Sequence, residues 1–162
     1  MKMGTLIDYA VSPVLLALGI GKLGAFISGA EVGTITKFPV AIHYVNYEGM
    51  RHLTPLYESI LFFIASFIAY KLLFRIRREF LPKGFTALFF AWIFSFSYSI
   101  FDFMKGDHVI VFGISIYFVL SLIALLTSTL YFVYYWRNFL IHLFHVNKTN
   151  QRNVHKKTEG KT

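Results

Sequence analysis

The sequence predicts an all-α integral membrane protein, a bundle of about four transmembrane helices with both termini cytoplasmic. Three observations predict it. Hydrophobic residues make up 56% of the 162-residue chain and charged residues only 15%, a balance foreign to a soluble domain of this size. The apolar residues gather in four blocks, each near the roughly 20 residues that a helix needs to cross the hydrocarbon core. Most Lys and Arg residues fall on one of the two sides that those blocks define.

The first span is read at about residues 6–29, interrupted only by Asp8 and Lys22. The second, 55–74, carries Glu58 and Lys71 near its two ends, where charged side chains reach the interface. The third, 85–104, is free of charge through Phe101. The fourth is placed at 112–136, within an uncharged run that starts at Val109 and exceeds one span, so its first residues form a loop or the helix tilts. After Arg137, Phe139 and Leu143 stand four apart, as do Leu140 and Phe144, with His142 and His145 between them; a short interfacial helix over 139–146 follows. Residues 1–146 thus read as a transmembrane domain and 147–162 as a polar, basic, disordered cytoplasmic tail.

Orientation comes from the loops. One side holds Lys2, Arg75, Arg77, Arg78, Lys83, Arg137, Lys148, Arg152, Lys156, Lys157 and Lys161, eleven in all, against Lys37, Arg51 and Lys105 on the other. The richer side is the cytoplasm. Tyr131, Tyr134, Tyr135 and Trp136 beside Arg137 form an aromatic belt at that inner interface.

Composition also excludes functions. With no cysteine, the chain has no disulfide, thiolate metal site or cysteine nucleophile. The first block lacks a strongly basic start and a small-residue cleavage site, so it reads as a retained helix and not a removable signal peptide. The net charge of +8 lies beside apolar blocks, which points to anionic lipid headgroups and away from nucleic acid.

Pro82, Lys83 and Gly84 make a tight inner turn. The outer loop from Glu31 to Leu53 is long for a small bundle, and long loops are often functional. Residues 39–45 alternate enough for a short strand. Ala17, Gly21, Ala25, Gly29 and Gly33 recur every fourth residue, a small-residue stripe that suits close helix packing. Lys22, near the outward end of its span, either snorkels to water or meets a lipid phosphate. At the head of the second span Thr54 can cap the helix, Pro55 suits its first position, and Glu58 meets the positive helix end. Capping leaves Arg51, His52 and Tyr57 unexplained, and they offer a cation, a general base and a phenol at the outer surface. On the third span Ser95, Ser99 and Asp102 share a face, and Tyr98 lies four residues before Asp102. Interhelical hydrogen bonding and lipid contact both fit that face. His43, His52 and His108 lack the spacing of a metal-binding helix, so no metal site is expected.

These residues carry a resemblance. Gly21-Lys22-Leu23-Gly24-Ala25-Phe26-Ile27-Ser28-Gly29, followed by Gly33, resembles the G-R-x-G-N-F-x-N-G-E-x-x-G signature of bacterial prolipoprotein diacylglyceryl transferases. Arg51 to Glu58 resembles that family's R-H-P-[ST]-[PQ]-L-Y-E box and departs clearly only at Leu53. Residues 38–44 are similar to its L-P-W-A-V-x-F run, Asp102-Phe103-Met104-Lys105-Gly106-Asp107 to its E-F-F-R-x-D segment, and 114–122 to its L-[ST]-x-x-Q-x-L-S stretch.

The resemblance covers roughly residues 18–126 and implies a transferase that moves diacylglyceryl from phosphatidylglycerol to a lipoprotein-precursor cysteine thiol at the outer face of the cytoplasmic membrane. Glycerol phosphate is released and no cofactor is needed. It implies that Lys22 and Arg51 bind phosphate, that His52 or Glu58 handles protons, and that Gly33, Tyr57, Tyr98 and Asp102 shape the site.

Departures accompany it. Lys22 and Tyr98 stand at family arginines, Ala25 at an asparagine, Ala30 at a glutamate that Glu31 replaces only with a one-residue shift, Asp102 at a glutamate and Phe118 at a glutamine. The family's earlier helices, with a tyrosine and an H-G-G segment, have no counterpart before Leu6. Three readings stay open: a reduced homologue, a second chain supplying those helices, or a non-catalytic lipid-binding or assembly subunit.

Overall fold

The computed structural model describes the backbone of residues 3–105, 110–111 and 114–159 and the side chains of 4–105 and 115–137. The expectations resting on Lys2, Gly106, Asp107 and His108, and on the side chains of 139–162, lie outside the described residues.

Among the described residues, four helices are long and apolar enough to cross a membrane: Gly4–Ser28, Thr54–Arg77, Phe85–Met104 and Ile116–Arg137. They belong to α1 (Met3–Ser28), α2 (Thr54–Arg77), α3 (Phe85–Phe101, extended by a 3-10 turn over Asp102–Met104) and α4 (Ile116–Glu159). The chain is an all-helical, multi-pass membrane protein. Two hairpins interrupt the helices, β1 (Ile42–His43) with β2 (Met50–Arg51) and β3 (Ile110–Val111) with β4 (Ile114–Ser115), both antiparallel. β1 falls within the stretch whose alternation suggested a strand.

The chain divides into two compact units, residues 1–125 and 126–162. The second unit is the later part of α4, whose backbone runs on as helix to Glu159 through the stretch expected as an interfacial helix and polar tail. Within it Arg137 lies 5.9 Å over the Tyr134 ring.

In the first unit α1 packs along α2. The inward face of α1, toward α2 and the start of α3, carries Asp8, Ser12, Leu15, Gly19 and Lys22, alternating steps of four and three residues that stay on one side of a 3.6-residue helix. Ser12 and Ser66 exchange hydroxyl-to-carbonyl hydrogen bonds (3.1 and 2.8 Å), and the Ser59 hydroxyl donates to the Gly19 carbonyl (2.9 Å). Such polar ties hold membrane helices together where lipid removes the hydrophobic drive. Val11, Leu15, Phe62, Ala65, Ala69 and Ile93 form the buried core, covered by Phe89, Phe90 and Trp92 of α3.

The small-residue stripe does not make this contact. Ala17 and Gly21 are exposed, and a Cβ built on Gly21 meets nothing within 4 Å. A strict four-residue repeat drifts by about 40° per step around an α-helix, so the stripe leaves the face that Gly19 occupies. A Cβ on Gly19 would lie 2.8 Å from the Phe63 ring. Gly19→Leu is therefore expected to lower stability by about 1–3 kcal/mol through overpacking, and Gly21→Ala to be neutral or slightly stabilising. Thermal denaturation of the two detergent-solubilised variants checks this ranking.

Candidate functional site

The site forms where α1 ends and α2 begins. Gly29, with φ of 68°, closes α1: its N–H donates to Phe26 O (3.3 Å) and that of Ala30 to Ala25 O (3.1 Å), a Schellman ending. This reversal brings Glu31 back over the last turns of the helix, where Lys22 Nζ donates to both of its carboxylate oxygens at 2.8 and 2.6 Å. Glu31 is thus the carboxylate that meets Lys22.

Lys22 also reaches Glu58 Oε2 at 2.7 Å, and Lys105 Nζ reaches Glu58 Oε1 at 2.7 Å. Glu58 is fully buried, so two cations converge on one carboxylate removed from solvent. α2 starts at Thr54 with Leu53 as its cap residue, which sets Glu58 beyond the first turn. Its partners are the two lysines and not the helix end. Thr54 does not cap either: its hydroxyl donates to Met104 O at 2.9 Å. That carbonyl also accepts from Thr34 N at 2.9 Å, and Gly33 bridges Lys105 across the same crossing. The segment after α3 is thereby tied to both the outer loop and α2, and Lys105 is held over the site.

Gly33 fits only as glycine. A Cβ there would run into the His52 carbonyl and lie 2.8 Å from His52 Cβ and from Thr54 Oγ1. Close approach accounts for glycine at this position.

Lys22, Glu31, Val32, Tyr98, Asp102, Lys105 and Tyr117 line a cavity of ≈ 300 Å³. Lys105 sits 4.4 Å from the Tyr98 ring centroid, a cation–π contact that brings a positive charge to the residue standing at a family arginine. Asp102 is 5% exposed. Deeper on the same helix, the Ser99 and Ser121 hydroxyls hydrogen-bond at 3.0 Å, joining α3 to the start of α4. A larger open groove of ≈ 800 Å³, lined by Phe26–Gly29 and by Ile42 to Tyr47, has no pair of facing cations.

Of the residues expected at the site, Lys22, Glu58, Tyr98 and Asp102 come together with Lys105 and Glu31. Arg51 points elsewhere: Nη1 donates to Gly33 O (3.1 Å), Nε to Glu48 O (3.2 Å), and the guanidinium lies 5.1 Å from the Tyr47 ring centroid. It braces the outer loop. The His52 ring lies 6.0 Å from Phe38, and its Nδ1 is buried without a hydrogen-bond partner. Tyr57 stacks near Phe101, ring centroids 6.4 Å apart, and its hydroxyl is likewise buried and unpartnered. Neither His52 nor Tyr57 lines the cavity. Burial, with the nearby Tyr57 phenol second, pushes the Tyr44 hydroxyl above its ordinary value and keeps it neutral.

Sequence reading missed Lys105 and Tyr117 as site residues and left Glu31 undecided. Lys105 had a signal, a lone cation three residues beyond Asp102 at the end of a span.

The family model for prolipoprotein diacylglyceryl transferase matches residues 1–134, beyond the motif-based resemblance at both ends. No curated protein and no solved structure matches the chain. Matched over most of its length by that model, and folded as apolar helices that gather the family's motif positions Lys22, Glu58, Tyr98 and Asp102, this membrane protein belongs to the prolipoprotein diacylglyceryl transferase family.

Proposed function

We propose that the chain takes a diacylglyceryl group from phosphatidylglycerol and transfers it to the cysteine thiol of a lipoprotein precursor. The observation that carries this reading is the pair of ammonium groups, Lys22 and Lys105, fixed on buried Glu58 beside a cavity of ≈ 300 Å³. In the reaction a sulfur–carbon bond forms at the glyceryl carbon bearing the phosphate, and the carbon–oxygen bond to phosphate breaks. Glycerol phosphate leaves with the electron pair, and fixed cations stabilise the charge that develops on it. Glu58 has both oxygens engaged by lysines and acts as their anchor. His52 lies off the cavity lining, and Asp102, a carboxylate on that lining, is assigned to accept the thiol proton. The eleven-to-three distribution of Lys and Arg supports an inner-membrane protein with both termini cytoplasmic and this site near the outer face.

The test is transfer from labelled phosphatidylglycerol to a lipobox peptide by the purified chain. Thioether product is expected, and Lys22→Ala is expected to lower its rate about 100-fold, as loss of one preorganised charge donor does. The same assay in the chain's native membranes covers a second chain that brings the family's preceding helices. No product in either setting sinks the transferase reading.

A second reading, a lipid-binding or assembly subunit without catalysis, is favoured by Tyr98 and Ala25 at family arginine and asparagine positions. It predicts lipid binding without thioether product.

A further inference from the structure

Carboxylate oxygens crowd Lys22. Its Nζ hydrogen-bonds Glu31 Oε1 at 2.8 Å and Oε2 at 2.6 Å and is ion-paired with Glu58 Oε2 at 2.7 Å. A phosphate that takes a close seat on Lys22 displaces one of these carboxylates. The two are not equivalent. Glu58 has no exposed side-chain surface, sits inside α2 and is also held by Lys105. The Glu31 side chain is 44% exposed and stands just after the helix-ending turn at Gly29.

Formal charge points the same way. The seat that Glu31 fills on Lys22 holds one negative charge. If Glu31 swings into water that charge leaves the seat, and a phosphodiester, which also carries one negative charge, restores it.

We infer that Glu31 is an exchangeable internal anion: its carboxylate occupies the phosphate seat of Lys22 in the empty site, and a phosphate-bearing ligand binds by replacing it, charge for charge, while Glu58 stays fixed beneath Lys22 and Lys105. This deepens the phosphatidylglycerol reading and rests on it. It also gives the site a selectivity, because an uncharged lipid cannot compete Glu31 off Lys22 and a monoanionic headgroup can.

The test titrates the full-length, detergent-solubilised chain, its E31Q variant and its E31A variant with short-chain phosphatidylglycerol, inorganic phosphate and short-chain diacylglycerol. Calorimetry reads the binding. Both variants are expected to bind phosphatidylglycerol about five- to tenfold more tightly than wild type, since the ligand no longer breaks a charge-assisted pair. Affinity for diacylglycerol is expected to be the same in all three, which a general loosening of the fold would not produce. Tightening with phosphatidylglycerol alone identifies a lipid headgroup as the partner of Lys22, and tightening with both phosphates identifies phosphate itself; either supports the exchange. Wild-type binding of phosphatidylglycerol with equal or weaker binding by E31Q and E31A overturns the exchange and leaves the phosphatidylglycerol reading intact. No phosphate-dependent binding by any of the three overturns both.

Discussion

Glu58→Gln is expected to lose about 3–5 kcal/mol of stability, the largest effect of any single substitution at the site, because removal of one member of a buried ion pair strands the charges that it held. Both Glu58 oxygens lie 2.7 Å from an ammonium, and the side chain is fully buried, so the amide is forced to turn its NH2 group toward a lysine. Lys22 and Lys105 are themselves only 16% and 18% exposed, which limits how far water can take over. Unfolding titrations in mixed micelles, followed by tryptophan fluorescence, measure the loss. The double variant Glu58→Gln with Lys22→Met is expected to be less damaged than the two single losses added together, with a coupling of about 1–3 kcal/mol, since each removes what the other leaves unpaired. A loss below about 1 kcal/mol for Glu58→Gln, the range of an exposed pair, would rule out the buried-anchor role.

The residues that make this site differ in how far they could be read from the chain. The helices are written in local sequence: a run of apolar residues of the right length crosses a membrane whatever its neighbours do. Lys22 stood out because a charge inside an apolar span is costly and tends to be functional, and Glu58 because it closes the Arg51–Glu58 motif. Their partnership with each other was not readable, because it depends on Ser59 docking on Gly19, a contact between residues far apart in the chain. Glu31 depended on the turn at Gly29, whose left-handed φ ends α1 and folds the chain back toward Lys22. Lys105 depended on Met104 O accepting from Thr34 and Thr54 together. Arg51 shows the converse. A cation in a well-matched motif resembles a phosphate ligand, and the sequence does not show that the carbonyls of Gly33 and Glu48 also lie within its reach and engage it.

Asp8→Ala is expected to cost about 3 kcal/mol of stability while leaving phosphatidylglycerol affinity per folded molecule unchanged, since it removes a cap at the opposite end of α1 from Lys22. Asp8 is 1% exposed and serves α3, not its own helix. Oδ2 accepts from Gly84 N at 2.7 Å, and Oδ1 accepts from Thr86 N at 3.2 Å and from the Thr86 hydroxyl. Gly84, with φ of 92°, is the residue from which α3 starts, and no side chain of that segment caps the helix. The first N–H groups of a helix have no partner within it, and in an apolar setting each unmet donor is costly, so a carboxylate brought across from α1 satisfies them and pins the α2–α3 turn to α1. Asp8→Asn keeps one acceptor and is expected to lose about half as much. The same unfolding titration ranks the three proteins, and binding of phosphatidylglycerol by the folded fraction supplies the second readout. An Asp8→Ala protein as stable as wild type overturns the capping role. A stable one that fails to bind lipid instead makes Asp8 part of the coupling between the two ends of α1, because a cap that only holds helices together has no means of changing affinity at Lys22.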